Sequence, residues 1–71
     1  MSDTHIVLNG EARPLAAATT LVGILQEAGI AAETRGIAVA INDAVVRRRD
    51  WAATTLRPGD RIEVVKLFSG G

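Results

Sequence analysis

The side chains that do most enzyme chemistry are scarce in this chain of 71 residues. It has no cysteine, which excludes a disulfide, a thiolate metal site and a cysteine nucleophile. A Ser-His-Asp triad would depend on the one histidine, His5, which we interpret as a surface residue. The acidic residues are scattered singly, and we interpret these as solvated surface groups: Glu11, Glu27, Glu33, Asp43, Asp50, Asp60 and Glu63. The sequence therefore predicts no catalytic side chain and no metal site.

The chain end is the one segment whose residue types point to chemistry. Gly70 and Gly71 follow directly on the apolar strand pattern of residues 62–68, with only Ser69 between. A carboxylate is a poor electrophile, but conversion to an acyl adenylate in a water-excluded pocket would activate it. Two glycines could enter a narrow channel in which any Cβ atom would clash. The alternative is that the pair is a frayed tail or part of an expression linker, since termini are commonly disordered.

Composition limits the remaining function classes. Eight basic and eight acidic residues cancel, so no overall field favours nucleic acid or an anionic membrane. No uninterrupted apolar run approaches the roughly 20 residues that a membrane-spanning helix needs. The segment from Met1 to His5 is polar and acidic, which does not fit a signal peptide. We expect one small cytoplasmic domain that is not an enzyme by itself.

The first half of the chain predicts a hairpin followed by a helix. Residues 5–9 and 11–15 alternate as two short strands joined by Asn9-Gly10, a pair that tolerates the positive φ angles of a type I′ turn. Pro14 cannot donate to a strand ladder, so it predicts an edge strand or the end of one. A helix is expected over residues 21–28, capped by Thr19 or Thr20.

The second half predicts three further strands. Residues 37–42 alternate, Val45-Val46 starts a short strand, and residues 61–68 form the last one. Asp50 is expected to cap a single helical turn. One helix must then cover one face of a mixed sheet of four to five strands, because there is no second helix for the other face. This layout predicts an α+β fold of the β-grasp, or ubiquitin-like, type, with residues 1–68 as the domain and residues 69–71 as a flexible tail.

The pattern of the second half resembles the ThiS family of sulfur carriers in thiamine biosynthesis. The resemblance rests on residues whose spacing matches that family: Asn42, Val45-Val46, Trp51, Gly59-Asp60 and Gly70-Gly71. The helix start, Thr20-Leu21 with Ile24-Leu25, also fits, so essentially the whole chain is covered. One departure is visible, since Arg47 stands where the family often has proline.

The resemblance implies a protein co-substrate with no bound cofactor of its own. An E1-like adenylyltransferase would adenylate the Gly71 carboxylate with ATP and Mg²⁺. Sulfur from a cysteine desulfurase would convert it to a thiocarboxylate, and thiazole synthase would take that sulfur. The implied partner-binding residues lie at the end of the chain: Val65, Leu67, Phe68, Ser69, Gly70 and Gly71.

Other interpretations stay open at this point. Val65 and Leu67 could be ordinary exposed sheet residues, while Trp51 is expected to pack in the core. The arginine run 47–49 is expected to be a solvated, self-repelling loop, with steering towards an acidic partner as the alternative. For function, the alternatives are a molybdopterin synthase small subunit, a ubiquitin-like protein modifier, and an interaction module with an incidental Gly-Gly.

Overall fold

The computed structural model describes residues 4–31 and 33–67. The predicted tail, together with Phe68, lies outside this part. The described elements are, in chain order, strands β1 His5–Leu8 and β2 Glu11–Pro14, helix α1 Leu21–Glu27, strands β3 Ile37–Ile41 and β4 Ala44–Val46, a 3-10 turn Arg48–Asp50, and strand β5 Arg61–Lys66. Within the described residues, no helix is long and apolar enough to cross a membrane.

The five strands form one mixed sheet in the order β2-β1-β5-β3-β4. β1 pairs with β2 in antiparallel orientation and with β5 in parallel orientation, which the long connection through α1 makes possible. β3 is antiparallel to both β5 and β4. A mixed five-stranded sheet with one helix is the predicted β-grasp fold, which is therefore confirmed.

The core lies between α1 and one face of the sheet. Alternation in β1 buries Ile6 and Leu8, and the apolar stripe of α1 buries Leu21, Ile24 and Leu25 against them. The other buried residues come from the loops and the central strands: Leu15, Val39, Trp51, Leu56 and Ile62. The prediction that Trp51 packs in the core is confirmed.

Two threonines at the start of α1 have different roles. The Thr20 hydroxyl accepts a hydrogen bond from the Gly23 amide at 3.1 Å, so Thr20 is the N-cap. Thr19 instead donates its hydroxyl to the Ala16 carbonyl at 2.7 Å. After the helix, Gly29 has φ +88°, the left-handed conformation that commonly follows a helix end.

Several predicted boundaries were wrong by one or two residues. Residues 9 and 15 lie outside β1 and β2, and the described strand β5 ends at Lys66. Pro14 is the last residue of an edge strand, as its missing N–H predicted. The prediction for Asp50 was wrong, because it is the last residue of the 3-10 turn and the turn has no side-chain cap.

Two asparagines in hairpin turns make hydrogen bonds to β5. Asn9 and Asn42 both have φ +50°, each at the first position of a hairpin turn. The Nδ2 atom of Asn42 donates to Oδ1 of Asp60 at 3.0 Å, and its Oδ1 atom accepts from the Arg61 amide at 2.9 Å. Asn42 thereby ties the β3–β4 turn to the first residue of β5.

Asn9 extends the parallel pairing of β1 with β5. Its amide donates to the Ile62 carbonyl, and its Oδ1 atom accepts from the Val64 amide, both at 2.8 Å. The side chain therefore acts as one further rung of the ladder beyond Leu8. Sequence analysis identified Asn9 only as a turn former.

The Asn9 side chain can be tested by separating its two roles. Asn9→Gly keeps the positive φ but removes the acceptor for the Val64 amide, and we expect a loss of about 1 kcal/mol in the free energy of unfolding. Asn9→Asp keeps an acceptor oxygen and tolerates the same φ, so it should lose less. Urea unfolding of the three proteins measures both values. Equal stability of Asn9→Gly and the unaltered chain would contradict the assigned rung.

Candidate partner-binding surface

The face of the sheet opposite α1 has no element packed over it within residues 4–31 and 33–67. In β5, Ile62 and Val64 point towards the core, and Glu63 and Val65 point to the other face. Val65 has 55% of its surface exposed, which is a large value for a β-branched residue in a central strand. We refer to this second side of the sheet as the outer face.

An apolar patch occupies the outer face at the end of β5. Val65 lies opposite Ala38, and Ala40 lies opposite Val45, and opposed residues of antiparallel strands share a face. Because the two alanines are small, they leave Val45 at 74% exposure, and Leu67 at the strand end is 64% exposed. We call these five residues the outer patch. Contiguous exposed apolar residues of this kind are typical of interaction sites.

The outer patch lies at the end of β5, shortly before the predicted tail of residues 69–71. The Leu67 amide donates to the Gly36 carbonyl at 2.7 Å, which continues the β3–β5 ladder one step beyond the pair Ile37 and Lys66. The chain is therefore attached to the sheet as far as Leu67. Any partner that bound the segment after Leu67 would meet the outer patch beside it.

The structure brings together only part of the predicted site. Val65 and Leu67 both lie in the outer patch, with large exposed fractions. The other predicted residues lie outside the described part of the chain: Phe68, Ser69, Gly70 and Gly71. Sequence analysis missed Ala38, Ala40 and Val45 as members of a surface. The alternation of β3 placed the two alanines away from the core, but only the strand register brings Val45 next to them.

The arginine run 47–49 is exposed, as predicted, but Arg48 also makes specific contacts that the prediction did not include. Its guanidinium lies over the Trp51 ring, 4.5 Å from the centroid, and donates to the Thr34 carbonyl. Trp51 is 2% exposed, and its Nε1 atom donates to the Val46 carbonyl at 3.0 Å. Arg47 and Arg49 are exposed, in agreement with the prediction.

Among residues 4–31 and 33–67, no group of three histidine or acidic side chains could hold a metal ion. Asp43 and Arg61 form an ion pair at 3.4 Å, but both side chains are more than half exposed, so this contact contributes little. What the described surface offers is a place for another molecule to bind.

The openness of the outer face can be tested with isosteric substitutions. Val65→Thr places a hydroxyl where water can solvate it, so we expect a change below about 0.5 kcal/mol in the free energy of unfolding. Val39→Thr, at a position with 0% exposure, buries the same hydroxyl and should cost about 1–3 kcal/mol. Urea unfolding compares the two variants. A similar cost at both positions would mean that the outer face is covered.

The chain was compared with known proteins. The model of the ThiS family matches residues 6–71. The sulfur carrier protein ThiS of Thermus thermophilus is 42% identical over 64 residues, which cover 90% of this chain and 95% of the relative. The crystal structure of the thiamine biosynthesis protein ThiS from Geobacter metallireducens superimposes with a TM-score of 0.75, at 25% identity, over 94% of this chain and 99% of that one.

A larger protein also contains a similar region. The thiazole synthase of Magnetococcus marinus is 46% identical over 66 residues, or 93% of this chain. The matched region is 20% of that synthase, so this chain spans about a fifth of its length.

Proposed function

The chain belongs to the ThiS family, and from that premise we propose that the carboxylate of Gly71 is the group on which it carries sulfur. As a member of this family it is a sulfur carrier protein of thiamine biosynthesis, and the ubiquitin-like body is the part that partners recognise. The proposal concerns the chemistry of the chain end and the identity of the partners.

In the proposed activation step, a Gly71 carboxylate oxygen attacks the α-phosphorus of ATP and pyrophosphate leaves. An E1-like adenylyltransferase binds the ATP and Mg²⁺ and excludes water from the acyl adenylate. A desulfurase transfers sulfur from cysteine into a persulfide, whose outer sulfur displaces AMP from the acyl adenylate. A thiol, such as excess cysteine, then reduces the resulting acyl disulfide, and this leaves a thiocarboxylate on the carrier and a disulfide on the thiol side. The carrier contributes the reacting carboxylate and the binding surface, and its partners contribute the catalytic groups.

The observation that carries the proposal is the position of the outer patch. Apolar side chains are exposed around the end of β5, at 55% for Val65 and 64% for Leu67, directly before the segment that would react. A partner that covers the patch would remove this apolar surface from water. The same contact would hold the chain end near the active site of the partner, and this would raise the effective concentration of the carboxylate at that site. We propose that the partner binds Phe68, Ser69 and Gly70 along the channel that leads to that site.

Thiazole synthase is the proposed acceptor of the sulfur. In Magnetococcus marinus, a protein with that name contains a region similar to nearly all of this chain. Joining a carrier and an acceptor in one polypeptide raises the effective concentration of each for the other. That arrangement supports a direct transfer between the two proteins when they are separate chains.

The chemistry at Gly71 can be tested by the intact mass of the protein. Incubation with ATP, Mg²⁺, cysteine, a desulfurase and the E1-like enzyme of the same cells should add the mass difference between sulfur and oxygen. The variant that lacks Gly71 should show no such gain. Its thermal unfolding should stay almost unchanged, because none of the described core residues is removed.

Two outcomes would contradict this prediction. One is an unaltered mass of the full chain with the complete enzyme set, and the other is sulfur gained at a residue other than Gly71. Adducts on lysines of other proteins would instead favour a protein modifier. Deletion of the gene should make growth dependent on thiamine, whereas a molybdenum-cofactor defect without a thiamine requirement would favour a molybdopterin synthase subunit.

The outer patch can be tested as the docking surface with charge substitutions. Val65→Asp should raise the KM of the carrier in the adenylation reaction about tenfold at an unchanged kcat, because a charge would be desolvated in the complex. Ala12→Asp is the matched control, since it adds the same charge to the outer face at the far edge strand. An equal KM for both variants would exclude the patch as the docking surface.

A further inference from the structure

The loop of residues 33–36 forms the attachment point for the end of β5. Gly36 accepts the Leu67 amide at 2.7 Å, and this is the last backbone hydrogen bond of the described chain before the tail. A shift of the Gly36 carbonyl would therefore release Leu67 from the sheet. The proposed reacting group follows Leu67 by four residues. The position of this loop therefore determines where the segment that carries the reacting group begins.

Apolar burial contributes little to holding this loop in place. Glu33 and Arg35 are exposed, and Thr34 and Gly36 are only partly buried. The Thr34 amide donates to the Ala31 carbonyl at 3.0 Å, which links the loop to the residues that follow α1. The Thr34 carbonyl accepts from the guanidinium of Arg48, the first residue of the 3-10 turn that follows β4 in the chain.

Arg48 is in turn held in a defined position. Residues i and i+3 of a 3-10 turn lie almost above one another, so Arg48 and Trp51 are placed on the same side of the turn. The guanidinium lies over the indole ring at 4.5 Å, and a planar group stacked in this way directs its N–H donors outward from its edge, where they can reach an acceptor. The ring beneath it is buried and hydrogen-bonded to Val46, so it provides a rigid support.

We infer that Arg48 is a positioning residue, which fixes loop 33–36 and thereby the backbone of Leu67 at the start of the tail. Only the expected effect on partner binding rests on the proposed function. When the loop is held, Leu67 has one position relative to the outer patch. A partner that binds the chain end and the outer patch together then causes a smaller loss of conformational entropy. Without Arg48, the carrier should bind its activating enzyme less tightly while the chemical step proceeds at the same rate.

The direct test is amide hydrogen exchange by NMR on the full chain. In Arg48→Ala the Leu67 amide should exchange about tenfold faster, because the loop that carries its acceptor loses a charged hydrogen bond. The Leu15 amide, which donates to the Thr4 carbonyl at 2.8 Å near the opposite edge of the sheet, should be unchanged. Arg49→Ala is the matched control, since the Arg49 side chain is exposed and makes no hydrogen bond or ion pair within the described residues.

Arg48→Lys separates charge from geometry. Lysine keeps the positive charge but has no planar group to stack on the ring, so Leu67 exchange should stay within about twofold of the rate in Arg48→Ala. Full protection of Leu67 in Arg48→Lys would overturn the role of the stacked guanidinium. Unchanged Leu67 exchange in Arg48→Ala, or an equal acceleration at Leu15, would overturn the inference as a whole.

The functional consequence has its own measurement. The KM of Arg48→Ala in the adenylation reaction should rise about threefold at an unchanged kcat, as expected for a lost ordering contribution of modest size. Faster exchange at Leu67 with an unchanged KM would overturn the link to partner binding. If the unaltered chain is never adenylated, the proposed function fails, and the exchange rates still decide whether Arg48 positions Leu67.

Discussion

One constraint governs this domain: a single seven-residue helix can cover only one face of a five-stranded sheet. The covered face receives the large apolar residues of α1, β1 and β5, and it leaves the outer face to small or exposed side chains. Most of the outer face tolerates this, because residues such as Glu63 are polar. The exception is the outer patch, which includes Leu67 at the end of β5. The open face is thus both a consequence of the fold and the feature that suits it for binding.

The central position of β5 connects the fold to the site. Its parallel partner β1 pairs with Arg61 and Ile62, and its antiparallel partner β3 pairs with residues 62–66. The start of the strand is therefore held on both sides, and its end near the tail is held by β3. The Arg61 and Val64 amides donate to the Oδ1 atoms of Asn42 and Asn9, which strengthens the part of the strand far from the tail. At the tail end the corresponding contact is the bond between Leu67 and Gly36. The pairing with β3 and the bond to Gly36 therefore determine where β5 ends, directly before the segment that is proposed to react.

Sequence patterns predicted the elements and the two faces of the sheet because these depend on local periodicity. The alternation Ile62, Glu63, Val64, Val65 is enough to assign inner and outer residues without knowing any neighbour. The strand order and register depend on pairing across long distances in sequence, and no local pattern encodes them. This is why Val65 and Leu67 were identified as surface residues and Val45 was not. The residues alone pointed to activation of the chain-end carboxylate, and the family resemblance supplied the expected partners and the pathway.

The arginine run shows a second limit of sequence patterns. Three consecutive like charges predict mutual repulsion and solvation, and Arg47 and Arg49 fit that description. Arg48 is exposed as well, but Trp51 follows it by three residues in a 3-10 turn, where that spacing stacks the two side chains. The spacing was visible in the sequence, but Asp50 was expected to cap the helical turn, and that would have left Arg48 before the turn.

A carrier of this kind separates stability from reactivity. Its core is small, so a strained or hydrated catalytic cleft would consume a large part of its free energy of unfolding. The buried cluster of the described residues extends no further along the chain than Ile62, so the proposed reaction at Gly71 would not require a change at Trp51 or the residues around it. The proposed docking also requires that a partner recognise the body and the chain end together. The outer patch and the attachment of Leu67 would meet that requirement with residues that contribute little to the core, so substitutions there should alter docking without unfolding the domain.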